Sequence, residues 1–218
     1  MQPEVKEIAI YGAGGFGREV ACLLRRINDE VSPQWRFIGF FDDGVAPGTM
    51  NEYGKVLGNI NTLNSWDKPL AVVFAIGSPK TIELIYSKVS NDKIDFPNII
   101  APDTLFLDRE NVRMGKGNVI CSRCIVSCNI IIGDFNAFNG DISVGHDSVI
   151  GNFNSLMPAT KISGGVKIGN RNFLGVNSVV LQYKSLGDDN VIGASSVVIR
   201  NIKTPGTYVG NPAKRIIY

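Results

Sequence analysis

The chain has 218 residues, enough for one large domain or two small ones. Hydrophobic residues make up 44% and charged residues 19%, a balance that suits a folded globular protein and argues against disorder. A net charge of +2 leaves no electrostatic case for nucleic acid or an anionic membrane as partner, and no apolar run approaches the length of a membrane span.

The first hundred residues alternate strand-like and helix-like segments. Ile8–Tyr11 reads as a buried strand, followed by a glycine-rich turn and a helical pattern from about Arg18 to Ile27. Phe37–Phe41 reads as a second strand ending in Asp42-Asp43-Gly44. Leu70–Ile76 reads as a third, followed by Gly77-Ser78-Pro79 and a helix through about Val89. This alternation predicts a small parallel α/β, Rossmann-like domain over 1–100. The start of the chain lacks a basic region, an apolar stretch and a small-residue cleavage site, so a cytoplasmic location is expected.

Within the first turn, Gly12-Ala13-Gly14-Gly15-Phe16-Gly17 fits G-x-G-x-x-G between a strand and a helix. Such a turn offers backbone N–H groups and a helix N-terminus to phosphate. Taken alone it suggests NAD. However, Asp42 stands thirty residues after Gly12 rather than about twenty, and the domain is short for a full dinucleotide fold.

From about residue 103 the helical pattern disappears. Every sixth residue from Met114 to Val198 is apolar, fifteen positions without a break in phase. At this composition chance gives that about once in some hundred thousand trials. Two ladders of spacing eighteen are superimposed: Gly115, Gly133, Gly151, Gly169 and Gly187, and Asn118, Asn136, Asn154, Asn172 and Asn190. A helix needs a period of 3.6 and an ordinary strand a period of 2. Six residues per side and three sides per coil predict a left-handed parallel β-helix over 101–218, about five coils and roughly 24 Å long. The glycines are expected to free the backbone where the chain turns a corner. The asparagines are expected to stack, each amide bonding to the next and to the backbone. The fold class is thus α/β plus all-β.

Three of the four cysteines, Cys121, Cys124 and Cys128, lie within eight residues. No second ligand pair follows at metal spacing, so no metal is expected and the cysteines read as reduced thiols. The single histidine, His146, comes two residues after the inward Val144 and should point outward. Eighteen residues below it is Cys128. Eighteen above is Gly164, whose missing side chain should leave room for a ligand along the prism face. Histidine has the pKa range for general-base work, and Asp147 is positioned to orient its ring, provided the backbone turns between them.

Four segments resemble one branch of the bacterial hexapeptide acyltransferases: Ile10–Gly17, Phe41-Asp42-Asp43, Gly145-His146-Asp147-Ser148-Val149-Ile150-Gly151 and Val209-Gly210-Asn211-Pro212-Ala213-Lys214. That branch comprises sugar acetyltransferases with a small nucleotide-sugar domain. It includes the bacillosamine-pathway and perosamine N-acetyltransferases and the sialic-acid-cluster O-acetyltransferases. The resemblance implies acetyl-CoA as co-substrate, direct attack by a sugar amine with His146 as base and Asp147 in support, and no covalent acyl-enzyme. It implies that Gly14, Gly15, Phe16, Asp42, Asp43 and Gly77 cradle the nucleotide, and that Asn139 and Gly140 face the sugar. Ser155, where several relatives carry a second histidine, falls on the acyl-CoA side with Gly164, Val176, Ala194 and Lys214. It further implies a homotrimer with active sites between subunits.

The activity expected is N-acetylation of a nucleotide-linked 4-amino-4,6-dideoxy sugar in surface-glycan biosynthesis. Three other readings stay open: O-acetylation of sialic acid or a similar sugar, a noncatalytic β-helix binding module, and an NAD-dependent enzyme. The nucleotide base is open among uracil, thymine and guanine.

Overall fold

The structure, a computed structural model, describes residues 5–217. The N-terminal part contains β1 (Lys6–Tyr11), α1 (Gly15–Glu30), β2 (Trp35–Phe41), β3 (Val56–Gly58), α2 (Ile60–Asn64), β4 (Leu70–Phe74), α3 (Pro79–Lys88) and β5 (Ile94–Asp95). The sheet order is β3-β2-β1-β4-β5, parallel throughout. β4 and the Ile8–Tyr11 stretch of β1 are continuous buried runs, as expected for strands covered on both faces. Strands β3 and β5 were not legible in the sequence because they are three and two residues long. The chain order runs outward from β1 to β3, then returns to the other side of β1. This puts a topological switch point between β1 and β4, at whose carboxyl ends such sheets bind ligands.

The remainder winds as the left-handed β-helix read from the sequence, with three parallel sheets as its faces. Face one carries six short strands from Leu105–Phe106 to Val197–Val198. Face two carries five, from Val112–Met114 to Ser185–Leu186. Face three starts at Ile99–Ile100 and ends with Gly206–Val209 and an antiparallel return, Lys214–Arg215. Strand partners are offset by eighteen residues along the regular coils, for example Ser143 with Ile125 below and Lys161 above. The sixfold apolar series fills the prism: Ile120, Val126, Ile132, Phe138, Val144, Ile150, Leu156, Ile162 and their successors are all buried in one cluster. The asparagine ladder forms as expected. Asn154 is fully buried, donates to Asn136 Oδ1 and Gly169 O at 2.9 Å each, and accepts from Asn172 N at 2.8 Å.

The reason expected for the glycine ladder is not the one that operates. The left-handed backbone lies two residues later, at every sixth position from Gly117 to Ser195 without a gap, with φ between 53° and 68°. For residues with a side chain this conformation costs about 1–2 kcal/mol each. Hydrogen bonds between coils hold them there: the N–H of Phe135, Asp147, Phe153 and Arg171 donates to the carbonyl of Lys116, Cys128, Asp134 and Asn152 respectively, at 2.8–3.0 Å. Gly133 and Gly151 are needed for close approach instead. A Cβ on either would lie 2.6–2.7 Å from the carbonyl oxygen of the next glycine up the ladder.

The α/β domain sits against face three and the corner between faces two and three. Phe135 and Phe153 stack at 5.4 Å, and Tyr86 of α3 lies 4.3 Å from the Phe135 ring centre, with Phe74 and Phe96 completing the cluster. Arg26 of α1 donates to Ser122 Oγ at 2.8 Å and pairs with Asp103 at 3.1 Å. Among the described residues no helix is long and apolar enough to cross a membrane.

Candidate active site

Each corner of a coil is a four-residue turn. Gly145-His146-Asp147-Ser148 forms the corner between faces one and two, with Asp147 at its left-handed position, φ 58°. This is the backbone turn that the pairing of two adjacent side chains requires. His146 Nδ1 lies 2.8 Å from Asp147 Oδ2, and Asn129, one coil below, donates to Asp147 Oδ1 at 3.2 Å. The two bonds, that to His146 first and that to Asn129 second, hold the Asp147 carboxyl below its ordinary value of 3.8. A carboxyl with a lowered pKa makes its contribution above that range and loses it only as pH falls through the lowered value. Activity measured between about pH 5 and 8 should therefore show no transition that vanishes in Asp147→Asn; such a transition would refute the ionised carboxylate.

Both side chains are about half exposed, at 52% and 57%. Nε2 is the ring nitrogen left for chemistry. Gly164 lies directly above, but the space expected there for a ligand is filled by the imidazole itself. A Cβ on Gly164 would collide with His146 Nε2, Cε1 and Cδ2. Glycine is required at 164 so that the ring can lie flat along the prism edge. Cys128 below receives only a weak hydrogen bond at its sulfur, from Ser127 Oγ at 3.9 Å, among the described residues. Burial pushes the Cys121 thiol up to about 12 and the Cys124 thiol up to about 11, which keeps both protonated at neutral pH.

The residues expected to cradle a nucleotide gather at the carboxyl ends of β1, β2 and β4. Gly12, at φ 113°, approaches the Ala75 carbonyl too closely for a side chain, and Gly17 packs on the Gly12 carbonyl. Gly14, Gly15 and Gly77 have open space where a Cβ would stand. The sixteen-residue α1 starts there with no side-chain cap and no acidic residue in its first turn, so no side chain competes at its positive end. The diacid is partly occupied by its own loop. Asp42 accepts from Ala13 N and Gly44 N at 2.8 Å, and Asp43 Oδ1 accepts from Tyr11 Oη at 2.8 Å and Ile60 N at 3.0 Å. Among the described residues only Asp43 Oδ2 of these four oxygens lacks a protein partner. Burial, with the bond to Asp43, keeps Tyr11 protonated.

Other candidate residues fall elsewhere. Asn139, Gly140, Val176 and Ala194 line the corner between faces three and one. Asn139 and Gly140 also border a cavity of about 340 Å³ against α1. Ser155 is fully buried on face three with its Oγ unpartnered, and Lys214 is exposed on the terminal hairpin. In one chain, then, His146 and Asp147 lie at one end of face one and Asn139 and Gly140 at the other. A cavity of about 470 Å³ between Gly77–Lys80 and the outer surface of the coils is lined by Arg171, Phe173 and Val191. None of those three was singled out from the sequence. The signal available was phase: Phe173 and Val191 precede the inward positions Leu174 and Ile192 and so face outward.

Residues 7–89 match the family described as PglD N-terminal domain. No match is found among curated proteins. Among solved structures, WeeI from Acinetobacter baumannii AYE is 29% identical with a TM-score of 0.86, covering 97% of this chain and 100% of that one. The acetyltransferase domain of PglB from Neisseria gonorrhoeae FA1090, in complex with acetyl coenzyme A, is 25% identical with a TM-score of 0.85, covering 98% and 100%. PerB from Caulobacter crescentus, in complex with CoA and GDP-perosamine, is 24% identical with a TM-score of 0.85, covering 99% and 100%, and bears on the fold alone. The likeness to solved structures, among them an acetyltransferase domain bound to acetyl coenzyme A, extends over nearly the whole length of the chain.

Proposed function

We propose that this chain is an acetyl-CoA-dependent N-acetyltransferase acting on the 4-amino group of a nucleotide-linked 4-amino-4,6-dideoxy sugar. The observation that carries this reading is the His146–Asp147 pair on a turn that leaves Nε2 free, on a chain whose full-length likeness includes an acetyltransferase domain bound to acetyl coenzyme A. Nε2 takes a proton from the amine as it attacks the thioester carbonyl. The Asp147 carboxylate favours the imidazolium that forms. The new C–N bond forms in a tetrahedral intermediate, and CoA leaves as the thiolate. The cradle at the β1–β4 switch point takes the nucleotide, with Asp43 Oδ2 as acceptor for the base.

The separation of His146 from Asn139 and Gly140 favours a trimer. Face one presents exposed apolar residues at its outer positions: Leu105 at 51%, Ile125 at 42%, Leu181 at 38% and Ile199 at 37%. Three prisms turning face one toward a common axis bury these residues. They also set the corner bearing His146 beside the neighbour's corner bearing Asn139, Gly140, Val176 and Ala194.

The test is thiol release from acetyl-CoA against a panel of amino- and hydroxyl-bearing nucleotide-sugars, with GDP-perosamine included, alongside the solution mass. Turnover with an amino sugar by a particle of three 23.6 kDa chains is expected. Turnover only with hydroxyl acceptors selects O-acetylation, and no acetyl-CoA consumption at all selects a binding module.

A further inference from the structure

Residues three and four apart share one side of a helix, so Gly15, Glu19, Cys22 and Arg26 form a single stripe along α1. The stripe begins at the expected phosphate cradle and runs down to the β-helix, where Arg26 donates to Ser122 Oγ. A cavity of about 340 Å³ lies between the two, with Glu19, Cys22 and Arg26 on one side and Ser122, Asn139 and Gly140 on the other. The two charged groups in its lining differ. Arg26 is neutralised by Glu30 and Asp103. Glu19 is exposed, and among the described residues it makes no hydrogen bond or ion pair. Its charge is near enough to Cys121 to help raise that thiol, after burial and Cys124. A carboxylate that borders a cavity and lacks a cation is a strong acceptor for a positively charged ligand group.

Two crevices separate the α/β domain from the coils. The larger, about 470 Å³, runs from Gly77 to Phe173 and Val191 and reaches Arg171 and Asp189 at the corner between faces two and three. Packing about face one turns that corner away from the neighbours. The cavity beside α1 ends instead at the corner between faces three and one, which the trimer proposed above sets beside the partner subunit's His146. A sugar whose phosphate is held at the α1 N-terminus therefore reaches the base through this cavity. Glu19 stands four residues beyond Gly15, about 6 Å along the helix axis, comparable to the span of a pyranose from its anomeric oxygen to its 4-substituent. We propose that the Glu19 carboxylate binds the acceptor's 4-ammonium group in this cavity and so selects amino sugars over their hydroxyl counterparts. The bound ammonium gives one proton to water, and the partner subunit's His146 takes a second as the C–N bond forms. This rests on the trimeric N-acetyltransferase reading and adds to it the residue that reads the charge of the acceptor.

The test is titration calorimetry with two ligands that differ only at C4: GDP-perosamine, or the amino sugar of the panel with the highest turnover, and the same nucleotide sugar with a hydroxyl in place of the amine. The parent is expected to bind the amino form about tenfold more tightly or better. Glu19→Gln is expected to lose about tenfold in affinity for the amino form and nothing for the hydroxyl form. Glu19→Asp keeps the charge and is expected to retain part of the preference. In steady state Glu19→Gln should raise the acceptor KM about tenfold, leave the acetyl-CoA KM within about twofold and not lower kcat, because the contact is made before the transition state. An unchanged preference in Glu19→Gln, equal losses for both ligands, or a defect confined to the acetyl-CoA KM overturns the assignment of Glu19 alone. A parent that turns over only hydroxyl acceptors, or that is fully active as a monomer, overturns the reading on which the assignment rests.

Discussion

Replacing His146 with alanine is expected to lower kcat by about two to four orders of magnitude, the range contributed by a positioned general base. The fold should survive intact. The side chain is half exposed, and substitutions at such positions usually change stability by no more than about 0.5 kcal/mol. Asp147→Asn keeps the shape of the partner and removes its charge, so a smaller loss, roughly ten- to a hundredfold, is expected. Because the two residues act as a unit, the double variant should be no slower than His146→Ala alone. Gly164 belongs to the same unit for steric reasons. A methyl group there would collide with Nε2 and displace the imidazole, so Gly164→Ala should approach the histidine deletion in rate. Single-turnover acetyl transfer measured beside thermal melting checks all four. Near-normal turnover in His146→Ala would remove the proposed mechanism.

The largest stability effect is expected at Asn154. Its amide makes two donor bonds and accepts two more from Asn172, all inside a site with no exposure. Leucine fills similar volume but strands the Gly169 carbonyl and two donors of Asn172. Each buried unsatisfied group costs about 1–3 kcal/mol, so a loss of roughly 3–6 kcal/mol is expected. For a chain of this size that is a fall in Tm of about 10 °C or more. The top of the same ladder supplies the control. Asn190 Oδ1 has no partner in the structure, so Asn190→Leu strands no donor through that oxygen and should cost distinctly less. Equal losses at 154 and 190 would mean that the ladder does not act through stacked amides.

How much of this was legible depended on which physical signal each feature leaves in the chain. The inward positions of the prism accept only apolar side chains, so Met114 to Val198 announced the period directly. The asparagines did the same, because few other side chains can donate and accept along a buried column. The corners were hidden. Left-handed backbone favours Gly, Asn and Asp, yet Phe135, Phe153, Arg171 and Tyr183 occupy such positions, held by hydrogen bonds between coils that no local pattern records. The glycines at 133 and 151 looked like turn residues because close approach between coils and turning leave the same letter in the sequence. His146 and Asp147 were legible as adjacent residues. The contact that determines how the ring lies, with Gly164, comes from a residue eighteen positions away.

The terminal hairpin has a consequence beyond its own few hydrogen bonds. A stack of identical coils has no natural length, because the rung at its end offers the next rung a full row of unpaired donors and acceptors, from the same chain or a different one. Here Gly206–Val209 adds one last parallel rung to face three, and Lys214–Arg215 then runs back along it in the opposite sense with two exposed positive charges. The reversed, charged strand is a poor template for a parallel neighbour. In the language of polymerisation, the hairpin is a chain terminator, and it makes a finite particle of a motif that would otherwise propagate as a fibre.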